Sequence, residues 1–127
     1  MQKIILSNGK EFPILFDLNV MEQVQKRYGN VSALSAKLHE FGEMKWIMAT
    51  LINEGMEYNS YMSNMPVKPI TPEQVGVLLT IADFRDGKIS QAVIEDFNES
   101  LGGEKNLSAE DLMTIANSMQ EAAKATI

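Results

Sequence analysis

Alternating hydrophobic positions at the start of the chain predict a β-hairpin. Residues 3–6 and 11–16 are rich in Ile, Leu and Phe and flank a turn centred on Asn8-Gly9. Asn-Gly tolerates positive φ at both central positions of a type I′ turn, so a turn of that type is expected. Large apolar residues alternate along the second segment, which predicts one buried face. That face comprises Phe12, Ile14 and Phe16.

Hydrophobic positions then recur at helical spacing. Asp17 can cap a helix over residues 18–28, and a short helix after Ser32 should end near Gly42. The longest helix is predicted over residues 43–64. The apolar face of the first helix comprises Leu18, Met21, Val24 and Tyr28. The stripe of the longest helix comprises Met44, Ile47, Met48, Leu51, Ile52, Gly55, Tyr58 or Asn59, Met62 and Met65.

Pro66 and Pro69 break this pattern, and the next helix begins with a capping signature. In Thr71-Pro72-Glu73-Gln74 the threonine caps the helix, the proline fits its first position and the glutamine can return a hydrogen bond. The helix over residues 75–84 is apolar nearly all round. We therefore expect it to be central in the fold.

Two further helices should follow a turn at Asp86-Gly87, one over residues 90–101 and one that begins near Ser108. Together the elements predict an α+β, mainly α fold, in which the N-terminal β-hairpin packs on a bundle of about five helices. Residues 1–101 are predicted to form one domain. Residues 102–127 are predicted to be a linker and a C-terminal amphipathic helix, within the same globule or loosely docked. The stripe of this last helix comprises Leu112, Ile115, Ala116, Met119 and Ala123.

The composition indicates a soluble globular protein and argues against two kinds of partner. The chain has 127 residues, 45% of them hydrophobic and 22% charged, which is enough for one domain with a core. Its net charge of -6 disfavours nucleic acid and anionic membranes, because phosphate binding needs clustered Lys and Arg. No apolar stretch approaches the length that crosses a bilayer. The chain has no cysteine, so disulfides and thiolate chemistry are excluded.

Candidate catalytic and metal-binding residues are few. Base catalysis needs a positioned partner, so the single histidine, His39, is interpreted as a surface residue. Asp86-Gly87-Lys88-Ile89 resembles the middle of a calcium-binding EF-hand loop. With its glycine at the sixth loop position, three ligand positions fall on Ala82, Phe84 and Val93, which offer no side-chain oxygen. We predict a turn there, and no catalytic residue, metal site or cofactor.

Nine methionines are the one unusual feature of the composition. Methionine side chains are flexible and polarizable, and they serve adaptable binding grooves as well as irregular cores. Met56 lies off the stripe of the longest helix, as do Trp46 and Tyr61. Large aromatic side chains on a solvated face are candidate interface anchors, although these rings could equally cover the hairpin. We predict Trp46, Met56 and Tyr61 as partner-binding residues.

The order of the elements and three sequence stretches resemble a known family. After the Asn-Gly hairpin come Met21-Glu22-Gln23-Val24-Gln25-Lys26-Arg27-Tyr28-Gly29, Lys45-Trp46-Ile47-Met48-Ala49-Thr50-Leu51-Ile52-Asn53-Glu54-Gly55 and Ile70-Thr71-Pro72-Glu73-Gln74-Val75-Gly76-Val77-Leu78-Leu79. With this layout, residues 1–101 are similar to the small tail assembly chaperones of long-tailed bacteriophages and prophages. The family includes the related tail component of gene transfer agents. The last helix adds little to the resemblance.

The resemblance implies a non-enzymatic role in a bacterial cell that produces phage. Proteins of this family coat the long, aggregation-prone tape measure protein, keep it soluble and help deliver tail tube subunits. The implied partners are therefore the tape measure protein and the tail tube protein, in the cytoplasm of the bacterial host. No family motif for partner contact transfers position by position to this chain, and homo-oligomerisation stays open.

Two functions from other classes remain as alternatives. One is a structural virion protein, such as a tail tube, neck or completion subunit, which assembly into rings would distinguish. The sequence lacks the many strands that a tube wall usually needs. The other is a small helical regulatory or calcium-responsive adaptor built around Asp86-Gly87, which a response to calcium would distinguish.

Overall fold

A computed structural model of the chain describes residues 1–64, 66–100 and 109–124, with side chains from residue 114 onward in the last range. The fold is mainly α with a two-stranded antiparallel hairpin, so the predicted fold class is confirmed. The described residues form seven α-helices where about five were predicted. The elements are β1 (Gln2–Ile5), β2 (Glu11–Ile14), α1 (Leu18–Tyr28), α2 (Leu34–Lys37), α3 (Phe41–Ser63), α4 (Pro72–Leu78), α5 (Ile81–Arg85), α6 (Lys88–Ser100) and α7 (Ala109–Lys124), with a 3-10 turn over Val31–Ala33 before α2.

The hairpin forms where it was predicted, but its turn is of a different type. Leu6 donates its amide to the Lys10 carbonyl at 2.8 Å, and Gly9 donates to the Leu6 carbonyl at 2.9 Å. Only Gly9 has positive φ in this turn, so the predicted type I′ turn, which needs two such residues, is wrong. The Asn8 carboxamide instead accepts the Lys10 amide at 3.0 Å, which stabilises the longer loop.

Helix α3 is the centre of the fold and packs against β2, α1 and α4. Gly55 allows the strand to approach closely, because a Cβ there would lie 2.8 Å from the carbonyl carbon of Pro13. Just beyond this contact, Leu15 donates its amide to the Leu51 carbonyl at 3.1 Å. Several side chains of the predicted stripe are buried along the first half of α3. They include Met44, Ile47, Met48, Leu51 and Ile52.

Two predicted helix faces are wrong in part. Val24 of the predicted face of α1 is buried, but Leu18 is 87% exposed, because Val20 takes the inner position in the first turn. On α3, Met62 is 70% exposed, because the buried part of the helix ends at Gly55. The predicted cap at Asp17 is present and accepts the amide of Val20, so the start of α1 is confirmed.

The short helix and the central helix also differ from expectation. Helix α2 ends at Lys37, before the expected Gly42, because α3 already begins at Phe41. The predicted helix over residues 75–84 is two helices, because Thr80 forms a second capping box with Asp83 and starts α5. The first of the two, α4, lies at the surface and is not central.

Two carboxylates hold the ends of the hairpin on the helices. Asp83 accepts the Ser7 amide at 2.9 Å, and the fully buried Asp96 of α6 accepts the Phe16 amide at 3.0 Å. Burial acts to raise the pKa of Asp83, but hydrogen bonds from Thr80 and Ser7 outweigh it, and that pKa lies below its usual value. At Asp96 burial dominates and raises the pKa to about 6, despite the ammonium of Met1 nearby.

Helix α7 packs against α2, α5 and α6. It buries Ile115, Met119 and Ala123 of its predicted stripe. The side chain of Ser118 lies 3.1 Å from Nε2 of the exposed His39, so a surface histidine contacts the last helix. Predictions for Met65, for the 102–108 linker and for the Leu112 side chain lie outside the described residues.

Candidate protein-binding groove

An apolar groove lies between the hairpin, the second half of α3, residues 66–70 and α4. Its volume is about 720 Å³, and a smaller extension of about 270 Å³ shares Met56 and Lys68 with it. Both are lined mainly by apolar atoms. The residues that line the main part are Lys10, Phe12, Met56, Lys68, Pro69, Ile70, Glu73, Gln74, Val77 and Leu78.

The side chain of Asn53 fixes the wall formed by residues 66–70 to α3. Asn53 donates its amide nitrogen to the Ile70 carbonyl at 2.8 Å and accepts the Ile70 amide at 2.7 Å. Asn64 ends α3 in the left-handed conformation, which turns the chain away from the helix axis. Pro66 and Pro69 then restrict the backbone to extended conformations. The wall is therefore held in place without a partner.

The opposite wall is α4, whose start is set by the capping box of Thr71. Helical spacing directs residues 73, 74, 77 and 78 to the groove, because positions three or four apart share one face. Val75 points the other way and is buried. Val77 is 83% exposed, and Leu78 is half-buried rather than part of the core. This face of α4 therefore combines two polar residues, Glu73 and Gln74, with two apolar ones, Val77 and Leu78.

Two lysines stand at the groove of an acidic chain. Lys10 follows the hairpin turn and Lys68 lies in the 66–70 wall, and both line the groove. In the part of the chain that the structure describes, neither ammonium group has a carboxylate within 4.0 Å. Glu73 is the single carboxylate that lines the main part of the groove. The groove thus carries a local excess of positive charge on a chain whose net charge is -6.

The three residues predicted to bind a partner do not form one site. Met56 is half-buried and lines both parts of the groove. Tyr61 is 82% exposed, but it lies about 140° around α3 from Met56. Trp46 lies about 22 Å from Tyr61 along the helix axis. Partner binding by these residues stays a prediction, and the geometry connects only Met56 with the groove.

Trp46 belongs to a polar and aromatic cluster that joins α1 to α3. The Arg27 guanidinium lies 4.5 Å from the centre of the Trp46 ring, and the Tyr28 ring meets it edge-on at 5.8 Å. Glu43 accepts hydrogen bonds from Arg27 at 2.8 Å and from the Tyr28 hydroxyl at 3.0 Å. Burial, together with this carboxylate, raises the pKa of Tyr28 to about 12. Removal of Trp46 is therefore expected to affect stability as well as any binding.

Sequence reasoning missed most of the groove residues. Phe12 was assigned to the buried face and Leu78 to the core, and Lys10 and Lys68 were not singled out. The exposure of Val77 was not predicted, because its helix was expected to be central. The sequence did contain a signal for this, because Thr80 can cap a new helix. A helix break at Thr80 leaves α4 too short to be a core helix.

A second, more enclosed cavity of about 310 Å³ lies on the other side of α4. Its apolar lining comes from α3, α4, α5 and the end of α7, and Lys45 lies across Gly76 at its edge. Helix α4 is therefore flanked by cavities on both sides and is anchored chiefly by Val75.

The described residues contain no group of three or more His, Asp or Glu side chains that could hold a metal ion. The predicted turn at Asp86-Gly87 is present, with Gly87 at φ 78° and Asp86 accepting the Lys88 amide at 3.0 Å. Among the helices described, none combines the length and the apolar character needed to cross a membrane.

Comparison with known protein families, curated proteins and solved structures finds no match to this chain. The features that bear on function are therefore those of the molecule itself. They are the apolar groove, its fixed walls and the two lysines beside it.

Proposed function

We propose that this chain is a non-enzymatic tail assembly chaperone that binds the tape measure protein and helps to recruit tail tube subunits in the cytoplasm of a bacterial host. The observation that carries the proposal is the open apolar groove between β2, α3 and α4. The resemblance of residues 1–101 to the tail assembly chaperones supplies the identity of the partners. The groove supplies a place where one of them can bind.

A helical segment is the partner that suits this groove. Helix-in-groove recognition places one apolar face of an amphipathic helix between apolar walls, with anchors three or four residues apart. Here the walls offer Phe12, Met56 and Val77, which differ in shape and stiffness. The flexible Met56 side chain can adjust to different anchors, which suits a protein that coats a long partner at several places.

The acidic surface of the chain supports the same role. A net charge of -6 on 127 residues keeps copies apart and keeps a complex soluble. A chaperone for an aggregation-prone protein needs both properties, an apolar site for the partner and a charged exterior for the complex. The geometry offers no specific support for a structural virion protein or a calcium-responsive adaptor.

Co-expression with a long helical tape measure protein tests the proposal. We expect the tape measure protein to become soluble and to co-elute with this chain. Two exposed apolar side chains provide a matched pair, Val77 in the groove and Leu18 outside it, at 83% and 87% exposure. Val77→Asp should lower the recovered complex about tenfold, because a charge would enter the apolar contact. Leu18→Asp should leave it unchanged.

Other results would lead elsewhere. If the tape measure protein stays insoluble while this chain alone assembles into large rings, a structural virion protein is the better assignment. If calcium alone shifts the melting temperature, the regulatory adaptor gains support. If Val77→Asp and Leu18→Asp lower the amount of recovered complex equally, the groove is not the binding site.

A further inference from the structure

We propose that the groove recognises an amphipathic helical segment that carries acidic residues beside its apolar stripe, and that Lys10 and Lys68 pair with those residues. This inference rests on the proposed function, because it specifies the chemistry of the segment that the chaperone binds. It goes further in assigning a charge preference to the site and in naming the two residues that set it.

The two lysines are placed and available for this role. Each lines the groove, and Lys68 lines its extension as well. A lysine stem can lie along an apolar wall while its ammonium group stays in water at the edge. Within the described residues both ammonium groups lack a carboxylate partner, so no internal ion pair has to break before they meet a ligand.

Local charge outweighs net charge at contact distance. The chain as a whole is acidic, which at long range favours basic partners. At physiological ionic strength, charges are screened over about 8 Å, so a bound segment responds mainly to the groups that line the site. There, two ammonium groups face one carboxylate, Glu73, which lies in the first turn of α4 where the helix dipole favours an acid. The site therefore favours acidic flanks.

The same charges disfavour symmetric pairing of two copies through this groove. In a two-fold contact the same surface of each copy meets the other, so four lysines and only two Glu73 carboxylates would share the interface. Like charges at an interface oppose association. A segment of another protein with acidic flanks has no such cost and gains two ion pairs.

The groove is also formed before the partner arrives. Asn53 holds the 66–70 wall through two hydrogen bonds to Ile70, and the prolines limit its backbone freedom. A preformed wall lowers the ordering cost of binding. Asn53 is thus a positioning residue, and its replacement should weaken acidic and basic segments equally.

A pair of synthetic peptides tests the charge preference. Each has about 18 residues, enough for about five helical turns, with the same apolar stripe and either Glu or Lys beside it. Fluorescence anisotropy should show the wild-type chain binding the Glu peptide about tenfold more tightly, and this preference should shrink at high salt. The double variant Lys10→Glu with Lys68→Glu should reverse the preference. The variant Lys3→Glu with Lys88→Glu has the same net charge outside the groove and should keep it.

Several outcomes would overturn the inference. These are equal affinity for the two peptides, no binding of either, or the same reversal in the control double variant. Self-association that Lys10→Glu with Lys68→Glu abolishes would make a second copy the occupant and would also overturn it.

The inference and the proposed function fail separately. If the tape measure protein co-elutes equally well with the Lys10→Glu, Lys68→Glu chain, the charge preference is wrong and the chaperone role stands. If the wild-type chain binds the Glu peptide but never the tape measure protein, the chaperone role is wrong and the charge preference stands.

Discussion

The two halves of α3 share one apolar sequence pattern but differ in their surroundings. Between Met44 and Gly55 the pattern marks the core, because β2, α1 and α4 cover the helix. Between Met56 and Ser63 no residue is buried, although the stripe continues through Met62. The first half supports the fold, and the second half leaves its apolar side chains partly or largely exposed. Hydrophobic periodicity thus locates the apolar face of a helix but does not show whether another element covers it.

A matched pair of methionines gives the largest contrast between the halves. Met48 is fully buried and Met62 is 70% exposed. Met48→Ala should lower the free energy of unfolding by about 2–5 kcal/mol through loss of contacts and a cavity, whereas Met62→Ala should change it by less than about 0.5 kcal/mol. Urea unfolding of both variants measures the difference. Equal effects would contradict the division of α3.

The carboxylate that anchors the hairpin predicts an unusual pH dependence. Burial raises the pKa of Asp96 to about 6 from its ordinary value of 3.8, so the folded state holds the proton more tightly than the unfolded state. Stability should therefore fall as pH rises through about 4 to 6, by about 2–3 kcal/mol in all. The melting temperature of the wild type should rise when the pH is lowered from 7 to 5.

Asp96→Asn provides the control for this effect. The carboxamide oxygen can still accept the Phe16 amide, but the side chain no longer titrates. The variant should lose the part of the pH dependence between pH 5 and 7. An unchanged profile would show that another group is responsible.

Two glycines of α3 lie in different surroundings, Gly55 at the close contact with β2 and Gly42 at the exposed start of the helix. A Cβ at Gly55 would lie 2.8 Å from the Pro13 backbone, whereas nothing lies within 4 Å of one at Gly42. Gly55→Ala should destabilise the fold by about 1–3 kcal/mol, because strand and helix must separate. Gly42→Ala should stabilise it by about 0.5–1 kcal/mol through helix propensity. Thermal unfolding of both variants measures these changes. No loss of stability in Gly55→Ala would contradict the close contact between α3 and β2.

Local signals in the sequence were sufficient for the hairpin and for most helix starts. The caps at Asp17 and Thr71 bond to amides three residues along the chain, so the local sequence is enough to predict them. The prediction failed where two local signals competed. At Thr80 a second cap breaks an apolar run that periodicity alone extends into one helix.

The groove could not be predicted, because its walls come from distant parts of the chain. Lys10 and Phe12 lie next to residues 68–78 only after β2 has packed on α3. Met56 was predicted for binding because it lies off the stripe, and the geometry gives a further reason. Tyr61 and Trp46 were chosen by the same rule and lie elsewhere, since helix phase does not specify which surfaces meet.

Hydrogen exchange on the chain with and without bound tape measure protein tests the central claim most directly. If the groove binds the partner, exchange on binding should slow for amides of residues 66–78 and of β2 and should not change around Trp46. Slower exchange confined to the face of Tyr58, Tyr61 and Met62, or to the Trp46 cluster, would contradict the claim that the groove binds the partner.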